Sequence, residues 1–200
     1  MNPNIFVIGL SKVGKTPLSD QLANPFGFTR VSASEWIRST FVPTNPENAL
    51  AEITAASQER LQQDPDVCVK FITSKYNVIE HGGFVIEGLR NPRDFILLFR
   101  PERDFVLFVT HPNNPLAPTA FETAGVGVIR STVDWMAQNR LLERSRVAEC
   151  LVAGLREEGD LSELETHSMV PCSHRRMMFK SLDPAIRFAV EWLSCFIKKE

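Results

Sequence analysis

The stretch IFVIGLSKVGKTPLSD, residues 5 to 20, decides how the chain is read. Ile5, Phe6, Val7 and Ile8 form a short apolar run, rich in β-branched residues, of the kind buried on both faces of a parallel sheet. The run ends on Gly9, and Gly9 to Thr16 fit the pattern G-x-x-x-x-G-K-[ST] in full. Glycines at both ends let successive backbone N–H groups turn inward, and the helix expected from Lys15 offers its positive N-terminal end. A polyphosphate is therefore expected on Gly9, Ser11, Lys12, Val13 and Gly14, held mainly by main chain. Lys15 would reach the β- and γ-phosphates, and the Thr16 hydroxyl would ligate Mg²⁺.

Outward from this loop, short apolar runs alternate with amphipathic stretches. FGFTRVSAS is a second strand candidate, GGFVIEG (82 to 88) a third, RDFVLFVTHP (103 to 112) a fourth and HRRMMFK (174 to 180) a last. Helices are expected from Asn45-Pro46, Asp64-Pro65, Asn91-Pro92 and Asp183-Pro184, each a capping residue followed by proline at the first helical position. Residues 112 to 127, dense in Pro and Gly, read as a loop or flap, and 133 to 159 read as one long helix. Strands separated by helices predict a three-layer α/β fold, with a central parallel sheet of about five strands in one domain over residues 1 to 200.

Composition narrows the partners. The 200 residues are 44% hydrophobic and 23% charged, which suits a compact soluble domain. A net charge of −2 without a long basic block argues against a general nucleic-acid binder. No apolar run approaches the roughly 18 residues of a membrane span, and no basic leader precedes the first strand, so a cytoplasmic protein is expected. Cys68, Cys150, Cys172 and Cys195 have no C-x-x-C spacing, and His81, His111, His167 and His174 share no ligand spacing. They are read as reduced thiols and as histidines without a metal role.

After the second strand candidate come Ser32, Ala33, Ser34, Glu35, Trp36, Ile37 and Arg38; after the third come Glu87, Gly88, Leu89 and Arg90. On these residues and the loop, the first half of the chain resembles the P-loop nucleoside monophosphate kinases, the adenylate-kinase-like family. Its patterns there are S-x-G-D-x-x-R and D-G-x-P-R or D-G-x-R. The resemblance implies the P-loop NTPase fold, with ATP and Mg²⁺ as donor and metal and a small-molecule nucleotide, a nucleoside or deoxynucleoside monophosphate, as acceptor. It also implies Lys15, Glu87 and Arg90 as catalytic residues, with Glu87 orienting Mg²⁺ through a water. Ser32, Arg38 and Arg90 would hold the acceptor within a segment from about 32 to 80. A lid is expected over about 112 to 146, with Arg130, Arg140 and Arg144 as its arginines and the last two on one helical face.

Chemistry gives a reason for these types, because phosphoryl transfer is mainly alignment and charge neutralisation, and a guanidinium binds phosphate oxygens through a planar fork. Ser34 and Glu35 replace the family's glycine and aspartate, and Glu87 replaces an aspartate. Two alternatives therefore stand beside the kinase: a nucleotide-binding relative that senses or assembles without transfer, and a P-loop kinase for a non-nucleotide metabolite such as dephospho-coenzyme A or a sugar acid. No N-K-x-D for guanine is present.

Overall fold

Ile5–Gly9 form the central strand β1, buried along its whole length. The computed structural model describes residues 2–9, 14–110, 120–150, 176–179 and 182–197. In chain order the elements after β1 are α1 (Lys15–Phe26), β2 (Thr29–Ser32), α2 (Glu35–Arg38), α3 (Ala49–Gln63), α4 (Val67–Tyr76), β3 (Phe84–Glu87) and α5 (Pro92–Leu98). There follow β4 (Phe105–Thr110), α6 (Ala120–Gln138), β5 (Ser145–Cys150), β6 (Arg176–Phe179) and α7 (Leu182–Ser194). The strands form one sheet in the order β2-β3-β1-β4-β5-β6, and every neighbouring pair is parallel.

Alternation along β1 sorts its side chains into two cores. Phe6 and Ile8 pack with Ile86, Val106, Phe108, Phe95 and Met136, while Ile5 and Val7 pack with Leu18 and Leu22 of α1 and with Trp192 and Leu193 of α7. Helices thus cover both faces. The result is a three-layer α/β fold around a parallel sheet.

Local chemistry explains the helix ends. The Asn45 and Asn91 side chains accept from the N–H groups of Glu47 and Arg93, each with proline at the first helical position. Asp64 accepts from Asp66 N–H just before α4 begins at Val67. Gly27 ends α1 with φ 65°, and Phe28 N–H reaches back to Ala23 O at 2.9 Å.

Two expected elements differ. The helix expected over 133 to 159 stops at Gln138, and residues 145 to 150 instead form β5, so the sheet has six strands. Arg140 adopts φ 58°, its N–H bonds to Ala137 O, and Leu141 N–H reaches Met136 O at 2.8 Å. This is a Schellman-type stop without the glycine that normally announces one. The stretch expected as a loop over 112 to 127 is helical from Ala120 onward. Residues 111–119 lie outside the described residues, as do 151–175.

Candidate nucleotide site

In a parallel sheet all strands end at one edge, and ligands of such folds bind there. Gly9, Ser32 and Glu87 share that edge, because Val7 and Ser32 are both register partners of Glu87 on its flanking strands. Ala33 N–H extends the ladder by one bond, to Glu87 O at 2.7 Å.

The two loop glycines have different reasons. A Cβ on Gly9 would stand 2.1 Å from the Val109 carbonyl oxygen, so the close approach of β1 and β4 demands glycine there. Gly14 has φ 85° and precedes Lys15, so the turn into α1 needs left-handed backbone. Leu10, Ser11, Lys12 and Val13 lie outside the described residues. Pro17 follows Thr16 in the first turn of α1 and contributes no N–H there.

Around Glu87 the charges converge. Thr16 Oγ1 donates to the carboxylate, 3.1 Å from each oxygen, and Arg30 Nη1 donates to Glu87 Oε1 at 2.7 Å. Glu87 is only 4% exposed. Lys15 is also buried, and its ammonium is lowered to about 8, first by burial and then by the charge of Arg90, with Glu87 opposing. Burial likewise lowers the half-buried Arg90 guanidinium below its ordinary value against the pull of Glu87. The Arg90 guanidinium is held close enough to disfavour the charge on the Lys15 ammonium. A phosphate group bound between them would relieve that repulsion.

A Mg²⁺ fits the donors present. The Thr16 hydroxyl keeps its lone pairs while donating to Glu87, and both are hard oxygen ligands of the type Mg²⁺ takes. Among the described residues no group of three or more His, Cys, Asp or Glu is placed to hold a metal, so phosphate and water would complete the shell.

The acceptor candidates separate. Ser32 and Ser34 hydroxyls meet at 3.1 Å beside β3. Arg38 ends the one-turn α2 and is exposed. Glu35 is bound by Lys75 Nζ and by Tyr76 OH at 2.6 Å, and these hydrogen bonds hold its carboxyl below the usual range. Trp36 is buried in the core.

Of the expected lid arginines, Arg140 and Arg144 lie away from the edge where β1 ends at Gly9. Arg130 is exposed about halfway along α6. Arg140 and Arg144 do not share a helical face, because the helix ends before them. Arg144 stacks over the Phe105 ring at 5.0 Å and donates to Glu102 O at 3.3 Å. Phe105 begins β4 and Glu102 lies in the turn before it, at the edge opposite Glu87. Arg140 precedes β5 at that same end, so both sit away from the edge that carries Gly9 and Glu87. Of the cysteines, Cys68 is buried and Cys195 exposed, and neither is in a disulfide. His81 is exposed; His111, His167 and His174 lie outside the described residues.

Sequence reading missed Arg30 and Asp20. Arg30 Nε forms an ion pair with Asp20 Oδ1 at 2.6 Å, so one guanidinium ties α1 to β3. The i, i+4 spacing of Thr16 and Asp20 was visible, but no local pattern places Arg30 between them.

No family model matches the chain, and no curated protein matches it. Solved structures do resemble it. A gluconokinase from Sinorhizobium meliloti 1021 shares 14% identity over 96% of this chain and 92% of its own, with a TM-score of 0.40. A shikimate kinase from Bacteroides thetaiotaomicron shares 14% over 82% and 93%, with a TM-score of 0.37. A structure from the PezAT chromosomal toxin-antitoxin system of Streptococcus pneumoniae shares 15% over 100% and 88%, with a TM-score of 0.45. Likeness this distant carries no activity across, so the functional reading rests on the residues. No described helix is long and apolar enough to cross a membrane.

Proposed function

We propose that the chain is an ATP-dependent phosphotransferase whose acceptor is a small phosphorylated molecule, a nucleoside or deoxynucleoside monophosphate first. The observation that carries this is the meeting of Thr16, Glu87, Lys15 and Arg90 at the edge where the β1 loop emerges. Gly9 to Thr16 bind the donor's phosphates, and Lys15 neutralises the β- and γ-oxygens. Mg²⁺, held by Thr16 and through water by Glu87, supplies further charge neutralisation when bound.

Arg90 and the more exposed Arg38 hold the acceptor's phosphate, with Ser32 as a hydroxyl donor. The acceptor class follows from proton bookkeeping. A hydroxyl acceptor needs a base, but Glu35, just after β2, is engaged by Lys75 and Tyr76, and Glu87, beside the end of β2, is engaged by Thr16 and Arg30. A phosphate monoester, with a second pKa of about 6, brings its own anionic oxygen. The same engagement of Glu35 also favours the second reading, a nucleotide-binding relative without transfer.

An ADP-release assay tests both. It compares ribo- and deoxynucleoside monophosphates with dephospho-coenzyme A and sugar acids, beside thermal shifts with and without Mg-ATP. Turnover confined to the nucleoside monophosphates, whose accepting group is a phosphate monoester, is expected. Mg-ATP stabilisation with no turnover would move the chain to the non-catalytic reading, and no stabilisation at all would end the nucleotide reading.

A further inference from the structure

Glu87 carries one methylene more than the aspartate of the related pattern, and that extra torsion must be fixed if its carboxylate is to act at one place. Thr16 alone does not fix it, since a hydroxyl equidistant from both oxygens, at 3.1 Å each, leaves the carboxylate able to swing. The Lys15 ammonium and Arg90 guanidinium also attract it. We propose that Arg30, outside every motif, is the positioning residue that holds Glu87 at Thr16 and thereby sets the metal affinity of the nucleotide site. This inference rests on the nucleotide reading above.

The geometry carries it. Arg30 Nη1 donates to Glu87 Oε1 at 2.7 Å, and Nε of the same planar group forms an ion pair with the more exposed Asp20, 2.6 Å from its Oδ1. Asp20 lies one helical turn beyond Thr16 on α1. Hydroxyl, carboxylate, guanidinium and carboxylate therefore close a ring through the backbone of α1. The ring locks Glu87 to the helix that carries the metal ligand. An ammonium is a point charge without the planar fork whose separate nitrogens face the two carboxylates here.

The test is ATP binding by calorimetry in EDTA and across a Mg²⁺ titration, with Mn²⁺ as an EPR probe, for wild type, Arg30→Met and Arg30→Lys. Loss of a partner that orients a metal site costs about 10–100-fold in metal affinity, so the half-saturating metal concentration should rise that much in Arg30→Met while metal-free ATP affinity holds. Arg30→Lys should lie between. Wild-type metal dependence in both variants would reduce Arg30 to a structural ion pair and overturn the inference alone. Should Arg30→Met fail to fold, the metal dependence of Arg30→Lys decides the same question. ATP affinity in wild type that ignores Mg²⁺ would instead overturn the nucleotide-metal reading on which this one rests.

Discussion

Thr16 Oγ1 stands 3.1 Å from both carboxylate oxygens of Glu87, although 71 residues separate them in the chain. The pair joins the first turn of α1 to the last residue of β3. Removing the hydroxyl should therefore act on ligand binding and little on folding, because Thr16 is exposed and exposed substitutions usually stay within about 0.5 kcal/mol. Thr16→Ala is expected to keep its unliganded melting temperature and lose most of the stabilisation that Mg-ATP gives. A shift as large as wild type's would remove Thr16 from the metal.

Lys15→Met should separate stability from binding. Burial and Arg90 lower the Lys15 ammonium to about 8, so the charged form present at pH 7 is disfavoured in the free protein. Methionine is expected to raise the unliganded melting temperature by about 2–4 °C for each kcal/mol of relief, while abolishing ATP stabilisation. A drop in unliganded stability would show that Lys15 holds the fold together.

Arg90→Ala should lower turnover by about 100-fold or more and leave ATP affinity nearly unchanged, since its proposed partner is the acceptor and the transferring group. Steady-state kinetics beside ATP calorimetry read the split. Equal loss in both would move Arg90 to the donor side.

Asp94 is 2% exposed, and its Oδ1 has no hydrogen-bond partner among the described residues. Burial, with a smaller push from Asp66, raises its carboxyl to about 7, against the Cys68 thiol and Arg93. Between about pH 4 and 7 the folded state holds a proton that the unfolded chain has released. Stability should fall as pH rises through that window, by up to about 1.4 kcal/mol per unit, and level off above it. Denaturant titrations of Asp94→Asn should show that slope reduced; an identical slope in the variant would assign it to other groups.

Arg144→Ala tests the reassignment of the expected lid. Its contacts with Phe105 and Glu102 lie at the far edge of the sheet, so a loss of about 0.5–1 kcal/mol in stability is expected, with ATP binding and turnover intact. A turnover defect without a stability change would return Arg144 to the site.

The sequence alone determined the parts whose cause is local. β1 reads from an unbroken apolar run, the loop from glycines that bound a Lys-Thr pair, and α5 and the start of the 46–63 helical segment from Asn-Pro caps that bond as their chemistry requires. Parallel packing was legible too, since Ile5 to Ile8 are apolar on both faces and only a covered sheet needs that. Tertiary structure decided what depends on distant segments meeting. β5 reads at helical spacing, yet Arg140 ends α6 in a conformation normally marked by glycine, and pairing with β4 then satisfies the backbone of residues 145 to 150 as strand. Arg144 carries the same charge at either edge of the sheet; only the fold sets it on Phe105. The ring of Thr16, Glu87, Arg30 and Asp20 has no sequence signature, because its members come from α1, β2 and β3 and are brought together by strand order. Local rules fix which torsions each segment prefers, while only the register of Ser32 and Val7 against Glu87 fixes which charges face one another.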